Sequence, residues 1–328
     1  VSFLSLSVIL ILTFAFGYLI GLNGAGSVIA TIVSSRSMNP RAAVALAIFC
    51  MVVGPFVLGL AVVSTISADL VSMTAVNAPV IIAALAGAVL WVSLAAHYKI
   101  PSSTTHAFIG SLVGAVTAGF GIQAIVAGGL AKALLALIIS PLLGVLVGYV
   151  IVKLSYRAAA TATPSVNQLF KAGQVALSML VGLSFGSNDG QKIMGIVALG
   201  VMATSKGDFA VPYWAAAFAA VALAAGTLIG SRRVVETLGG RLYKIQPIHG
   251  FGAQTASGIV LLSASLLGSP VSGSQVIASA IVGAGSAERV RMVRWGVFRS
   301  ILSTWVLTIP SAAFIGALLY LILSHLSL

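Results

Sequence analysis

Apolar stretches of roughly membrane-spanning length recur ten times along the chain, at 3–22, 42–65, 79–97, 105–128, 130–152, 173–203, 212–231, 250–267, 274–288 and 300–325. Turn residues separate them, among them Asn39-Pro40, Asn77-Ala78-Pro79, Pro101-Ser102-Ser103 and Gly268-Ser269-Pro270. A helix needs about 20 apolar residues to cross the hydrocarbon core. Inside that core every backbone N–H and C=O must be satisfied within the protein, which leaves helices or closed barrels. Segments of this length predict an all-α polytopic membrane protein. Only 7% of the 328 residues are charged and 59% are hydrophobic, whereas a soluble domain carries about 25% charge. Five acidic residues cannot solvate a globular surface of this size. A soluble enzyme, a disordered tail and a nucleic-acid module are therefore excluded. Residues 3–20 are read as part of the first crossing and not as a cleaved leader, because the run continues into a patterned segment. The single cysteine, Cys50, rules out a disulfide framework or thiolate metal site and is read as a small buried residue.

Two motifs recur at nearly one offset. Gly21-Leu22-Asn23-Gly24 matches Gly186-Ser187-Asn188-Asp189 at 165 residues, and Pro101 to His106 matches Pro270 to Gln275 at 169, with Gly114 falling on Gly283. The shared order predicts an internal duplication with halves at 1–160 and 165–328. Charge reverses between the halves. The first loop of the N-half holds Arg36 and Arg41, and its counterpart only Lys206 beside Asp208. The second loop of the N-half holds Asp69 and no base, and its counterpart Arg232, Arg233, Arg241 and Lys244. With Arg36 and Arg41 inside, the cytoplasmic side also collects Lys99, Lys153, Arg157, Lys171, the four bases at 232–244, Arg289, Arg291, Arg294 and Arg299, 14 of the 17 bases in all. Basic residues stay in cytoplasmic loops. The expected architecture is thus two inverted repeats of about five crossings each, with broken or re-entrant helices meeting near midplane and both termini outside.

The polar interruptions of the apolar helices are few. Gly21 to Ser27 and Gly186 to Lys192 are expected to unwind, so that backbone groups face a ligand; helix contact through small residues is the competing reading. Asp189 and Lys192 are spaced i, i+3 and share a helix face. An intramembrane charge costs about 2.5–3.5 kcal/mol on insertion scales. Asp189 is accordingly read as a cation or proton site, with Lys192 setting its charge state or attracting an anion. A self-neutralising pair that locks two helices is the blander alternative. Ser102, Ser103, Thr104, Thr105 and His106 open an apolar helix. One hydroxyl suffices as a cap; four hydroxyls and an imidazole supply donors for a tetrahedral oxyanion. The partner segment Ser272-Gly273-Ser274-Gln275 is thinner but polar. His97, His249 and His325 are read as interfacial residues.

Over almost its whole length the chain resembles the inorganic phosphate transporter (PiT) family. The resemblance is carried by IGLNGAGSVIAT at 20–31, PSSTTHAFIGSLVGA at 101–115, GSNDGQKIMGI at 186–196, IQPIHGFGAQTASG at 245–258 and RWGVFRSILSTWVLTIP at 294–310. It implies import of an oxyanion, usually phosphate, driven by a sodium or proton gradient. The chain departs from the family pattern at Gly24 and Ser27, where the family carries Asp and Asn. It departs again at Gly273, Ser274 and Gln275 in place of Thr-Thr-His, and at Phe185 in place of His. The expected substrate set is Asn23, Ser103, Thr104, Thr105, His106, Asn188, Gln191, Lys192, Ser272, Ser274 and Gln275, all but Gln275 carried over residue by residue. The coupling-ion set is Asp189, Asn188 and Asn23, with sodium at Asp189 if the ion is a metal. One acid at midplane in place of two predicts a reduced coupling ratio, with protons through Asp189 as one route.

The expected function is secondary active import of phosphate by alternating access across the cytoplasmic membrane, with the lipid bilayer as surroundings and no cofactor beyond the coupling ion. A sulfate permease of the same fold and a transport-inactive scaffold are the alternatives. A passive channel would show rings of like charge, and none is seen. No nucleophile–base pair or metal-ligand cluster points to an enzyme, and no basic surface to a nucleic-acid partner. The oligomeric state stays open, a homodimer included.

Overall fold

The computed structural model describes residues 2–98, 100–205, 209–234 and 245–325. Lys99, Lys206, Asp208, Arg241 and Lys244, which entered the charge argument, lie outside the described residues, as do the side chains of Arg232 and Arg233. Eleven α-helices are described: α1 Ser2–Ser34, α2 Pro40–Val53, α3 Ala61–Ser64, α4 Ala78–His97, α5 Thr104–Phe120, α6 Ala127–Ala158, α7 Val166–Ser205, α8 Ala215–Val234, α9 Pro247–Leu266, α10 Gly273–Arg289 and α11 Trp295–His325. Each apolar stretch of the sequence falls on one of them except 42–65, which is split between α2 and α3, and no strand occurs among the described residues. By length and composition five helices can cross a bilayer, or six counting one bent pair. The turn residues act as read: Asn39 accepts from the backbone N–H of Arg41, and Asn77 from that of Val80.

The breaks are not where the glycine-rich motifs predicted them. Gly21 to Ser27 stays helical within α1, and Gly186 to Lys192 within α7. The physical reason is close packing, the reading that competed with unwinding. A Cβ on Gly21 would collide with the Leu223 carbonyl of α8, and one on Gly226 with the Tyr18 carbonyl of α1. Gly186 in turn sits against the Cys50 carbonyl of α2. These glycines let backbones touch, as small residues do where lipid supplies no hydrophobic drive. The broken span is instead the stretch after Arg41. There Gly54-Pro55-Phe56 tightens α2 into a 3₁₀ turn, and the chain bends by 71° before α3 and a π turn at Thr65–Asp69. The other interruptions are the non-helical stretches that precede α5 and α10.

Helices pack in an exchanged pattern. α6 lies on α9 and α10, while α11 lies on α4 and α5. Pro141 inside α6 and Pro310 inside α11 are separated by the repeat offset. Gly114 abuts the Ala313 carbonyl of α11, and its sequence counterpart Gly283 abuts the Val145 carbonyl of α6. α6 thus packs on helices that follow it in sequence, and α11 on helices from the N-terminal part of the chain. α1 and α7 pack on each other between them.

Candidate functional site

The middle of α7 is the most polar buried stretch of the molecule, since every residue from Ser184 to Lys192 is buried. Asp189 and Lys192 pair at 2.5 Å. Lys192 Nζ also donates to Thr105 Oγ1 at 2.9 Å and to the Val271 carbonyl at 2.5 Å. An ammonium has three donors, so all three are used. Thr105 Oγ1 in turn donates to the Val271 carbonyl at 3.3 Å. The ion pair on α7 therefore ties the start of α5 to the segment that leads into α10, and it stays uncharged as a unit.

Beside this pair lies a small polar cavity lined by Ile20, Asn23 and Gly24 of α1, Ser102, Thr104 and Thr105 at the start of α5, Phe185 and Asp189 of α7, and Ser272, Gly273 and Ser274 at the start of α10. Its volume is about 10 Å³, the space of a single water. All four polar segments singled out in the sequence converge on it. Two helix N-termini meet here, and the first-turn N–H groups of each lack intrahelical partners. Ser103 caps α5 by accepting from the His106 N–H, whereas Ser272 makes no side-chain cap on α10 and lies 3.4 Å from Ser274 Oγ. Each N-terminus carries about half a positive charge, which suits an anion.

Five expected substrate residues reach the cavity: Asn23, Thr104, Thr105, Ser272 and Ser274, with Asp189 beside them. The rest surround it. Ser103, His106 and Gln275 form a separate cluster, with His106 Nδ1 at 2.8 Å from Ser103 Oγ and 3.3 Å from Gln275 Nε2. Asn188 donates to Ser265 Oγ and the Ser269 carbonyl, and its buried Oδ1 has no partner. Gln191 accepts from the Val62 N–H at 2.8 Å and donates to Ser187 Oγ at 3.1 Å, so it pins the bent span to α7. Lys192 is consumed by its own three bonds and does not line the cavity. Sequence reasoning missed Ile20, Gly24, Gly273 and Phe185 as wall residues. The signal for Phe185 was its position one turn before Asp189 on the same helix face.

A second, larger cavity of about 200 Å³ adjoins the first and shares Asn23, Ser102 and Ser274 with it. Its walls run from those residues along Ser27 and Ala30 of α1, Ile277 and Ile281 of α10, and Trp305 and Ile301 of α11. It forms a vestibule on the side where α1 ends near Arg36 and α10 ends at Arg289.

Comparison with known proteins agrees with this arrangement. Residues 20–316 match the model of the phosphate transporter family. A protein of Rhizobium meliloti (strain 1021) named "Probable low-affinity inorganic phosphate transporter" is 40% identical over 310 residues, covering 93% of this chain and 92% of that one. A protein of the same name from Bacillus subtilis (strain 168) is 36% identical over 325 residues, with 96% of each covered. A solved structure described as "The sodium-dependent phosphate transporter" shares the fold, with a TM-score of 0.87 over 98% of this chain and 99% of the other at 23% identity. The family is one of transporters and not of enzymes. An ion pair buried between two polar helix starts, in a bundle of apolar helices whose sequence matches the family over residues 20–316, makes this chain a member of the phosphate transporter family.

Proposed function

We propose that the chain imports inorganic phosphate by alternating access across the cytoplasmic membrane, one cation accompanying each anion. The observation that carries the reading is the convergence of Asp189 with the starts of α5 and α10 on one enclosed polar cavity. The charge balance follows from elementary terms. The Asp189–Lys192 pair sums to zero, and the two helix N-termini contribute about one positive charge together. A phosphate dianion then needs one further cation. Asp189 is the acid that lines the cavity and offers a hard cation a carboxylate oxygen. The sodium dependence named for the fold neighbour favours sodium over a proton.

The exchanged packing of α6 and α11 supports two halves of opposite orientation, divided near residue 160, with both termini outside. The vestibule descends toward the helix ends that carry Arg36, Arg289 and Arg294, the side that basic residues mark as cytoplasmic. The conformation is accordingly read as inward-facing with its site closed. Substrate contacts fall to Asn23, Thr104, Thr105, Ser272 and Ser274. Ser103, His106, Asn188, Gln191, Lys192 and Gln275 hold those groups in place.

Proteoliposomes with independently set sodium and pH gradients, offered labelled phosphate, test this. Uptake is expected to follow the sodium gradient and to be lost in Asp189→Asn and Thr104→Ala. Uptake that follows only the pH gradient would reassign the cation to a proton on Asp189. Uptake at the parent rate in both variants would remove the site.

A further inference from the structure

The cavity beside Asp189 holds about one water, and a tetrahedral oxyanion with four oxygens does not fit it. Something in its wall must move, and the wall singles out one group. Most of the lining side chains are short hydroxyls or amides, and Asp189 is held by Lys192. Phe185 is the bulkiest, and it is 2% exposed.

Its ring has an unusual seat. A Cβ built on Gly24 of α1 would collide with the ring at Cζ and Cε1, and a Cβ built on Gly273 of α10 would collide with it at Cδ2 and Cε2. The ring therefore lies between two bare Cα atoms, one from each helix, with no side chain of residue 24 or 273 interlocked around it. Leaving such a seat breaks dispersion contacts, each of about 0.1–0.2 kcal/mol, without having to pass a side chain at position 24 or 273. The seat is also next to the passage. Gly24 follows Asn23 and Gly273 precedes Ser274, and these two neighbours are residues that the cavity shares with the vestibule. Asp189, Thr104 and Thr105 border the cavity alone.

We propose that Phe185 is the door between the vestibule and the Asp189 site. Seated on Gly24 and Gly273 it closes the site, and when the ring withdraws it vacates the volume in which phosphate binds. This rests on the phosphate-import reading of the same cavity. Gly24 and Gly273 are the door frame, and a methyl on either keeps the ring from seating, so that the door cannot close.

The test combines accessibility with transport. In a chain carrying Cys50→Ser and Thr104→Cys, the thiol at position 104 is labelled by a membrane-impermeant methanethiosulfonate reagent applied from the vestibule side of proteoliposomes. Labelling is expected to be slow with Phe185 and about tenfold faster after Phe185→Ala or Phe185→Leu, a barrier change near 1.4 kcal/mol. In the chain with native Thr104, Gly24→Ala is expected to cut phosphate uptake about tenfold when Phe185 is present and to have little effect in the Phe185→Ala background, a coupling that independent sites would not show. Equal labelling rates with and without the ring, or a Gly24→Ala effect that is the same in both backgrounds, would overturn the door. Labelling that accelerates in a chain whose Asp189→Asn variant transports like the parent would leave the door standing and remove the site reading instead. Phe185→Leu keeps apolar volume at the seat, so the labelling comparison survives if Phe185→Ala fails to fold.

Discussion

His106 Nδ1 and Gln275 Nε2 lie 3.3 Å apart, and the two residues are separated by 169 positions, the same offset that relates the polar motifs of the two halves. In the proposed duplication the two residues are counterparts, and counterparts touch where the two halves meet on a common axis. Ser103 Oγ, 2.8 Å away, meets the same ring nitrogen.

A pair on an axis should tolerate exchange. His106→Ala or Gln275→Ala removes one hydrogen bond, worth about 0.5–1.5 kcal/mol, and each is expected to lower the phosphate uptake rate by up to about tenfold. The swap His106→Gln with Gln275→His rebuilds the contact with the partners reversed and is expected to recover most of the rate. Initial-rate uptake in proteoliposomes checks it; a swap as poor as the single variants would place the pair off the axis.

The Asp189–Lys192 pair makes opposite demands on stability and transport. Breaking a buried pair by removing one partner strands the other charge and costs about 3–5 kcal/mol. Lys192→Met is therefore expected to lower the thermal unfolding temperature in detergent markedly. The double variant Asp189→Asn with Lys192→Met leaves no buried charge and is expected to unfold near the parent temperature while transporting no phosphate. Thermal unfolding monitored by tryptophan fluorescence, paired with uptake, separates the two effects.

Helix positions and the polar segments that meet at the cavity were legible in the sequence, because hydropathy and the rare intramembrane charges report on membrane burial directly. Asp189, Thr104 and Ser274 announced themselves as polar groups where lipid forbids them. The conformation of the glycine motifs was not legible. Gly21 and Gly186 can serve an unwound turn or a tight helix crossing, and only the approach of the Leu223 and Cys50 carbonyls decides between them. Lys192 misled in another way. Its charge suggested an anion contact, but its three donors are spent on Asp189, Thr105 and Val271. Phe185 gave no polar signal beyond its position one turn before Asp189, and its seat depends on helix contacts between α1, α7 and α10 that local sequence does not encode.

Gln191 links the bent span to α7. Its Oε1 accepts from the Val62 N–H in the first turn of α3, where no helical partner exists. Gln191→Leu leaves that donor buried and unpaired, at a cost of about 1–3 kcal/mol. The expected result is a lower unfolding temperature and a slower maximal uptake with little change in the concentration of phosphate at half-maximal rate, because Gln191 does not border the cavity. A rise in that concentration with an unchanged maximal rate would instead put Gln191 in contact with phosphate.

Selection of phosphate over sulfate should follow from Asp189. Near neutral pH phosphate retains at least one proton and sulfate none, so only phosphate can donate to a carboxylate. The cavity supplies donors from Thr104 and Ser274, which both anions accept, and the Asp189 carboxylate oxygen that Lys192 does not occupy can accept the phosphate proton beside the coupling cation. A site built to pair a substrate hydroxyl rejects the analogue that lacks it, because its own polar group is left unmatched. Sulfate in about tenfold excess is therefore expected to leave most phosphate uptake intact, an outcome that needs a discrimination of more than about 1.4 kcal/mol. Asp189→Asn presents an amide that can donate to either anion. Calorimetric binding of the two anions to this variant is expected to show their affinities within about tenfold of each other. A parent chain that binds sulfate as tightly as phosphate would mean that the carboxylate is committed to the coupling cation and plays no part in recognising the proton.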